Sequence, residues 1–528
     1  MGLTSAPLEA WYLAWVAIAP LWILIHRVPP NSSTIFAKQP WATLKNFWRR
    51  YQNPLIFSLA WGVGYQGLTL FWITGIHPMT WMGVPWFWSL CIAAIAWLII
   101  TIWGMGIPLL WTVGMILFRE LSPAVSLGWT GKLRRLVYGT ALWCVLEYLW
   151  SQGDLFWHFL AFSQSPHNLA ILQLSKWSGF TTVSMVILLV NGCLAEFWID
   201  FFSPSRKQTS AKLFLILGII FFVGFHLLGW NILVTATTTT DQPAKIGIIQ
   251  GNIPNDIKLY EEGTTGAIAN YTKGYQTLAK DSPNLIITPE TALPFKIEQV
   301  IGWSKFYQAI IAEKVPVVLG AFGTENKNFT NSLFTIGSQG EILSRYNKQQ
   351  LVPLGEYIPF ESIVGKFIDR LSPLDAHLVK GQNPVVINTP LGKATVAICY
   401  ESAYPEHFRR QTVAGGTFII ISSNDAHYSP TMPAQHHALD VMQAIANSRW
   451  TVRASNTGYS GIISPTGQTI WKSQLNQYKT HTGTIYLDTY QNTYVNFGNW
   501  LVKLSVITIL VFGIWPQLKI QIKHFSEE

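Results

Sequence analysis

Cysteine is scarce in this chain, with four among 528 residues. Cys91, Cys144 and Cys193 fall in apolar runs, which leaves Cys399 as the single thiol of the polar part and excludes an intramolecular disulfide framework there. Charge is scarce too, at 12% of residues, about half the share usual for soluble globular proteins, which argues against a purely soluble protein. The deficit is uneven: residues 1–240 hold 20 of the 25 tryptophans but only 19 of the 63 Lys, Arg, Asp and Glu residues. Such a chain suits two solvents, lipid and then water. CxxC, HExxH and Walker-type motifs are absent as well, and the residues below call for no metal and no cofactor.

Apolar sequence is abundant. About 20 helical residues cross a hydrocarbon core roughly 30 Å thick, and runs near that length occur at 8–28, 54–74, 84–118, 136–150, 177–200, 212–234 and 500–516. The third is longer than one span needs, with Gly104, Gly106 and Pro108 placed to kink or break it, and the fourth is short unless its Trp129 flank is included. Counting the third as one span makes the charged connections alternate. Arg27, Lys38, Lys45, Arg49 and Arg50, then Arg119, Lys132, Arg134 and Arg135, then Arg206, Lys207 and Lys212 lie on one side, against Lys176 on the other. The first set marks cytoplasmic loops.

The net charge of +9 is therefore no nucleic-acid signature: residues 1–240 account for +7 and the remaining 288 residues for +2. The expected organisation is a membrane domain over 1–240 with about six transmembrane helices, an extracytoplasmic catalytic domain over 241–499, and a last helix with a cytoplasmic tail over 500–528. No Lys or Arg precedes the first apolar run and no small-residue cleavage site follows it, so it is expected to be a retained helix.

Two features imitate functional motifs. Gly62-Val-Gly-Tyr-Gln-Gly67 matches a dinucleotide fingerprint in letters, but it lies inside an apolar span, where close helix packing is the better reading. His436 and His437 are adjacent, so they cannot share one helix face as a metal pair would, and they read as surface residues or as support for another group.

From Lys245 onward short apolar runs of strand length alternate with helical stretches near 264–280, 303–314 and 433–448, and hairpins fall at Ser338-Gln339-Gly340 and Thr466-Gly467. An α/β layered domain with a mixed sheet follows. Three of its strands run into residues that are costly to bury: Glu290, Lys348 and Cys399. Ligand sites of layered α/β proteins collect at such strand ends. A carboxylate, an amine and a thiol together supply a base, an oxyanion stabiliser and a nucleophile. Taken singly each has a plainer reading, the thiol as a small core hydrophobe, Glu290 as a surface carboxylate and Lys348 as a hairpin-end amine.

The wording of these segments is specific. PETALP with Glu290, YNKQQLVPLGEYIPF with Lys348 and AICYES with Cys399 resemble the Glu-Lys-Cys triad motifs of the nitrilase superfamily. With QGNIP at 250–254 and SNDA at 423–426, nearly the whole chain resembles the bacterial apolipoprotein N-acyltransferase family, which places a nitrilase-like domain between a bundle of spans and one final span. The resemblance implies an extracytoplasmic α-β-β-α sandwich on a polytopic helical bundle. It implies Glu290 as general base, Lys348 as oxyanion stabiliser and Cys399 as nucleophile, with Glu356, Tyr400 and Glu401 supporting the site. It also implies a phospholipid acyl donor and a diacylglyceryl apolipoprotein acceptor at the bacterial inner membrane. The chain departs from the family in having Leu259 and Tyr260 after QGNIP and His427 after SNDA, where Trp is common, and in lacking a counterpart of the usual first span.

Topology favours the same donor, because no ready acyl-CoA or ATP exists outside the cytoplasm. Phe360, Ile363, Val364, Phe367, Ile368 and Leu371 add an amphipathic helix signal over 357–371, either a lipid-facing arm or a face of the domain's own core. Rival readings are a membrane-anchored amidohydrolase, in which water resolves the thioester, and a non-enzymatic scaffold.

Overall fold

The computed structural model describes residues 1–28, 40–121, 128–202, 209–236, 242–353, 355–357, 378–382 and 386–514. The amphipathic stretch expected at 357–371 lies outside them beyond Tyr357. The chain forms two units, one of Met1–Phe71, Ile95–Val234 and Asn499–Glu528, the other of Trp72–Ala94 and Thr235–Gly498.

Among the described residues, the helices long and apolar enough to cross a membrane are Trp86–Glu120, Phe180–Phe201 and Ala211–Thr235. Pro108 sits inside one continuous helix, Trp86–Leu121, so the long third run is a single element. Helix Trp129–Trp150 takes in the Trp129 flank. The first apolar run differs from expectation: a 3₁₀ turn at Trp11–Trp15 is followed by a separate nine-residue helix, Ala19–Arg27. That helix is about 14 Å long at 1.5 Å per residue, well short of a span. Pro20 occupies its first turn, where a missing N–H costs nothing. The Asn191 carboxamide oxygen accepts from the amides of Ile18 and Ala19 at 2.9 and 3.0 Å, satisfying the restarted end.

The glycine fingerprint does lie in a helix, Pro40–Thr69, and a Cβ on Gly62 would meet Met105 Cγ at 2.9 Å and Pro108 Cγ at 3.1 Å. This is close helix packing. Two of the loop cations, Lys132 and Arg135, are buried in ion pairs with Asp200 and Glu196.

Among the described residues, the second unit carries twelve strands. Sheet one has the order β12 (Lys479–Tyr486), β1 (Pro243–Gln250), β2 (Leu285–Ile287), β3 (Val317–Glu325), β4 (Asn328–Ile336), β5 (Ile342–Asn347). Sheet two has the order β11 (Thr469–Lys472), β10 (Gly461–Ile463), β9 (Thr451–Ser455), β8 (Ile419–Ser423), β7 (Gly392–Ile398), β6 (Ile387–Thr389). Each sheet has a parallel centre, β1-β2-β3 and β7-β8-β9, and antiparallel flanks.

Strand periodicity sorts the side chains. Ile246, Ile248, Leu285, Ile287 and Val318 of sheet one meet Val396, Ile398, Ile420 and Val452 of sheet two in a shared core. The alternate residues Ile249, Ile286, Val317 and Leu319 pack on Tyr271, Tyr275 and Phe306 of the outer helices, and Ala397, Ile419 and Ile421 pack on Phe408. Both faces of the central strands are therefore buried, which explains unbroken apolar runs such as Leu285–Ile287 and Phe418–Ile421. The result is an α-β-β-α sandwich.

Candidate active site

The three costly residues sit at the carboxyl ends of β2, β5 and β7. The turn carrying Glu290 fits against β3 because residue 320 is glycine: a Cβ there would lie 2.1 Å from the Pro289 carbonyl oxygen. Two residues around the site adopt the left-handed region that non-glycine residues avoid, Thr291 at φ 42° and Cys399 at φ 53°. Such backbone persists where surrounding contacts over-determine it, and those contacts are dense here.

Lys348 Nζ lies 2.9 Å from Glu290 Oε1 and 2.9 Å from Glu356 Oε2. Asn331, inside β4, donates from one amide nitrogen to Glu290 Oε1 at 2.7 Å and to Glu356 Oε1 at 3.0 Å. The Asn424 amide donates to Glu290 Oε2 at 2.9 Å. Burial works against the Glu290 anion, but Lys348 foremost, then Lys258 and Asn331, outweigh it and hold the carboxyl below its ordinary value. Burial likewise opposes the Lys348 cation, and the Glu290 and Glu356 carboxylates overcome it and hold the amine above its ordinary value. For Cys399, burial first and the Glu290 carboxylate second push the thiol well above its ordinary value, with Lys348 pulling the other way. The resting state is therefore carboxylate, ammonium and neutral thiol. A thiol so placed gains nucleophilicity only as its proton leaves for an adjacent base.

Glu401 serves a different purpose from Glu290. Its fully buried carboxylate accepts from the Ile398 amide at 2.7 Å on one oxygen and from the Tyr346 hydroxyl and the Gln349 and Gln350 amides on the other, at 2.7, 2.7 and 3.1 Å. It thus fastens the end of β7 to the segment that presents Lys348. Tyr400 is directed at Tyr404, whose hydroxyl donates to that of Tyr400 at 3.1 Å.

Several contributors carried no motif. Lys258 is buried, donates to the Glu290 carbonyl at 3.2 Å and the Thr291 hydroxyl at 2.8 Å, and burial lowers its pKa to about 8. Asn255 donates to His427 Nδ1 at 2.8 Å, and burial pushes His427 down to about 4. The segment Trp72–Ala94 belongs to this same unit. Trp72 donates from Nε1 to Gln435 at 3.1 Å, its ring meets Tyr428 edge-on at 5.0 Å, and the Tyr260 hydroxyl donates to the Trp81 carbonyl at 3.1 Å. Tyr260 and His427, two of the departures noted in the sequence, thus both border this segment, with His427 and Trp81 ring centres 6.3 Å apart.

His436 and His437 are buried, which excludes the surface reading. Ligand atoms of Cys399, Asp425 and His436 lie within 4.8 Å of one another, a spacing that metal sites share. Here the imidazole is engaged by protein instead: Nε2 is 2.8 Å from the Cys399 carbonyl oxygen and Nδ1 is 2.8 Å from the Arg453 guanidinium.

Two stacked mixed sheets with Glu, Lys and Cys converging at their strand ends define a carbon-nitrogen hydrolase domain of the nitrilase superfamily, and the carbon-nitrogen hydrolase family matches residues 245–494. Residues 1–193 match the apolipoprotein N-acyltransferase N-terminal domain. Apolipoprotein N-acyltransferases of Nostoc sp. and Synechocystis sp. are 46% and 44% identical to this chain, each over 96% of it and over 95% and 97% of their own lengths. An amidase of the nitrilase superfamily from Nesterenkonia aligns with 50% of the chain and 98% of its own, at 15% identity and a TM-score of 0.37. This chain belongs to the apolipoprotein N-acyltransferase family, and with its long apolar helices it is a membrane protein.

Proposed function

We propose that the protein transfers an acyl chain from a membrane phospholipid to the α-amine of an apolipoprotein's diacylglyceryl-cysteine, through a thioester on Cys399. The observation that carries this reading is the Lys348–Glu290 contact beside a buried neutral thiol, in a chain of this family. Glu290 takes the Cys399 proton as sulfur attacks the ester carbonyl carbon. Lys348 faces the negative charge that develops on the carbonyl oxygen, where a preorganised cation acts most strongly. The tetrahedral adduct collapses, the lysophospholipid oxygen leaves with the proton held by Glu290, and the acyl group remains on sulfur. The acceptor amine then attacks the thioester, Glu290 receives its proton, and collapse gives the amide and returns that proton to sulfur.

The catalytic unit is placed on the outer side of the bacterial inner membrane, with a multi-pass anchor and a cytoplasmic C-terminus. The bias of twelve basic residues against one supports that orientation. Mass spectrometry of purified protein incubated with phospholipid tests the mechanism. An acyl adduct on Cys399 that passes to a diacylglyceryl peptide, and is lost in Cys399→Ala, is the expected result. Undiminished transfer by Cys399→Ala would overturn it, and release of the acyl group to water despite acceptor would favour the amidohydrolase.

A further inference from the structure

Cys399 is held at φ 53° in the 3₁₀ turn Cys399–Ala403, and one helix, Thr431–Asn447, grips that turn along a single face. His436 meets the Cys399 carbonyl at 2.8 Å, Asp440 accepts from the Ser402 hydroxyl at 3.0 Å, and Gln443 donates to the Ser402 carbonyl at 2.9 Å. Positions i, i+4 and i+7 share a helix face. A carbonyl oxygen only accepts, so His436 Nε2 bears the hydrogen. Nδ1 on the other side of the ring faces both the Arg453 guanidinium, with Nη2 at 2.8 Å, and the Asp425 carboxylate, with Oδ1 at 3.1 Å. The guanidinium is itself anchored by Asp440 at 2.7 Å and Asp425 at 3.1 Å, and all four side chains are buried.

We propose that His436 is a positioning residue for the nucleophile. By holding the Cys399 carbonyl it fixes the Cys399–Tyr400 peptide plane in its unfavourable conformation, and with it the direction of the Cβ–Sγ bond. Arg453 and Asp425 act through it by holding the opposite edge of the imidazole and so its orientation. The proposal rests on the acyl-thioester reading for its role in turnover, but the geometry it asserts is testable on the thiol alone.

The experiment uses the full chain in detergent and measures alkylation of Cys399 by iodoacetamide, single-turnover acylation from phospholipid, and Tm. His436→Leu removes the donor. His436→Gln restores an amide nitrogen the same number of bonds from the backbone. Val452→Ala, in the core between the sheets, controls for stability. Misplacing a reacting atom by about 1 Å costs up to about a hundredfold in rate. His436→Leu is therefore expected to lose about tenfold or more in both alkylation and acylation, with phospholipid KM unchanged and substantial recovery in His436→Gln. Val452→Ala should keep parental rates at a comparable Tm loss.

Parental alkylation in His436→Leu overturns the proposal, as does an equal loss in Val452→Ala. If His436→Leu does not fold, His436→Asn decides, its amide ending one bond short: slowed alkylation supports the clamp and parental alkylation removes it. The acyl-thioester reading fails separately, through transfer by Cys399→Ala.

Discussion

Lys348 Nζ stands 2.9 Å from Glu290 Oε1 with both side chains withdrawn from water. A buried charge left without its partner is costly, about 3–5 kcal/mol. Lys348→Met is thus expected to abolish acyl transfer and to lower stability by about that amount, because Glu290 and Glu356 are left facing each other. Adding Glu356→Gln should recover part of the stability and none of the transfer. Thermal unfolding and an acyl-transfer assay on the two variants check this.

Glu401 acts by position, and its loss should read differently. Glu401→Gln turns an amide NH₂ toward donors that the carboxylate accepted, Ile398 N among them. A destabilisation of about 1–3 kcal/mol is expected, with slower acylation and an unchanged phospholipid KM. A raised KM with unchanged acylation would place Glu401 in substrate binding instead.

The Cys399 thiol and Glu290, its proposed base, are pushed in opposite directions away from the neutral range. Because burial and Glu290 raise the Cys399 pKa above its ordinary 9.0, alkylation by iodoacetamide should still be rising at pH 9, with no plateau below it. Glu290, held below its ordinary 4.5, stays ionised across the neutral range, so the acid limb of acyl transfer should lie below pH 4.5. A limb near neutrality would assign the base to another group.

Lys258 gives a stability signature of opposite sign to an ordinary ion-paired lysine. Its pKa is lowered from 10.5 to about 8, so between those values the unfolded chain binds more protons and stability rises with pH. Relative to Lys258→Met, the parent should gain a few kcal/mol on going from pH 7.5 to 10. Chemical denaturation at the two pH values measures the difference. No gain means that the amine titrates normally.

The proposed orientation has its own check. In a Cys91→Ser background, Gln339→Cys at the exposed β4–β5 hairpin should react with an impermeant maleimide in intact spheroplasts, and Lys212→Cys only after permeabilisation. The reverse pattern would invert the topology.

The sandwich was legible because strands buried on both faces write continuous apolar runs, and their ends stand out where Glu290, Lys348 and Cys399 interrupt them. The supporting residues were less so. Asn331 lies mid-strand with no motif around it, and Lys258 is one lysine among many until burial singles it out. His436 was half-read: two adjacent histidines exclude a shared helix face, but burial and a carbonyl 37 residues away are tertiary facts. The first apolar run misled because hydropathy does not register the restart at Pro20, which depends on an Asn191 side chain far along the chain.

The unit that holds the triad is not contiguous in sequence, since it takes in Trp72–Ala94 as well as Thr235–Gly498. A fragment cut at residues 241 and 499 would leave behind Trp72, the hydrogen-bond donor to Gln435, and Trp81, the acceptor for Tyr260. The catalytic part is therefore no detachable module on an inert anchor. Swapping it between family members would require moving two pieces of chain together, and Trp72–Ala94 would have to evolve in step with the residues it touches, Tyr260, Tyr428 and Gln435 among them.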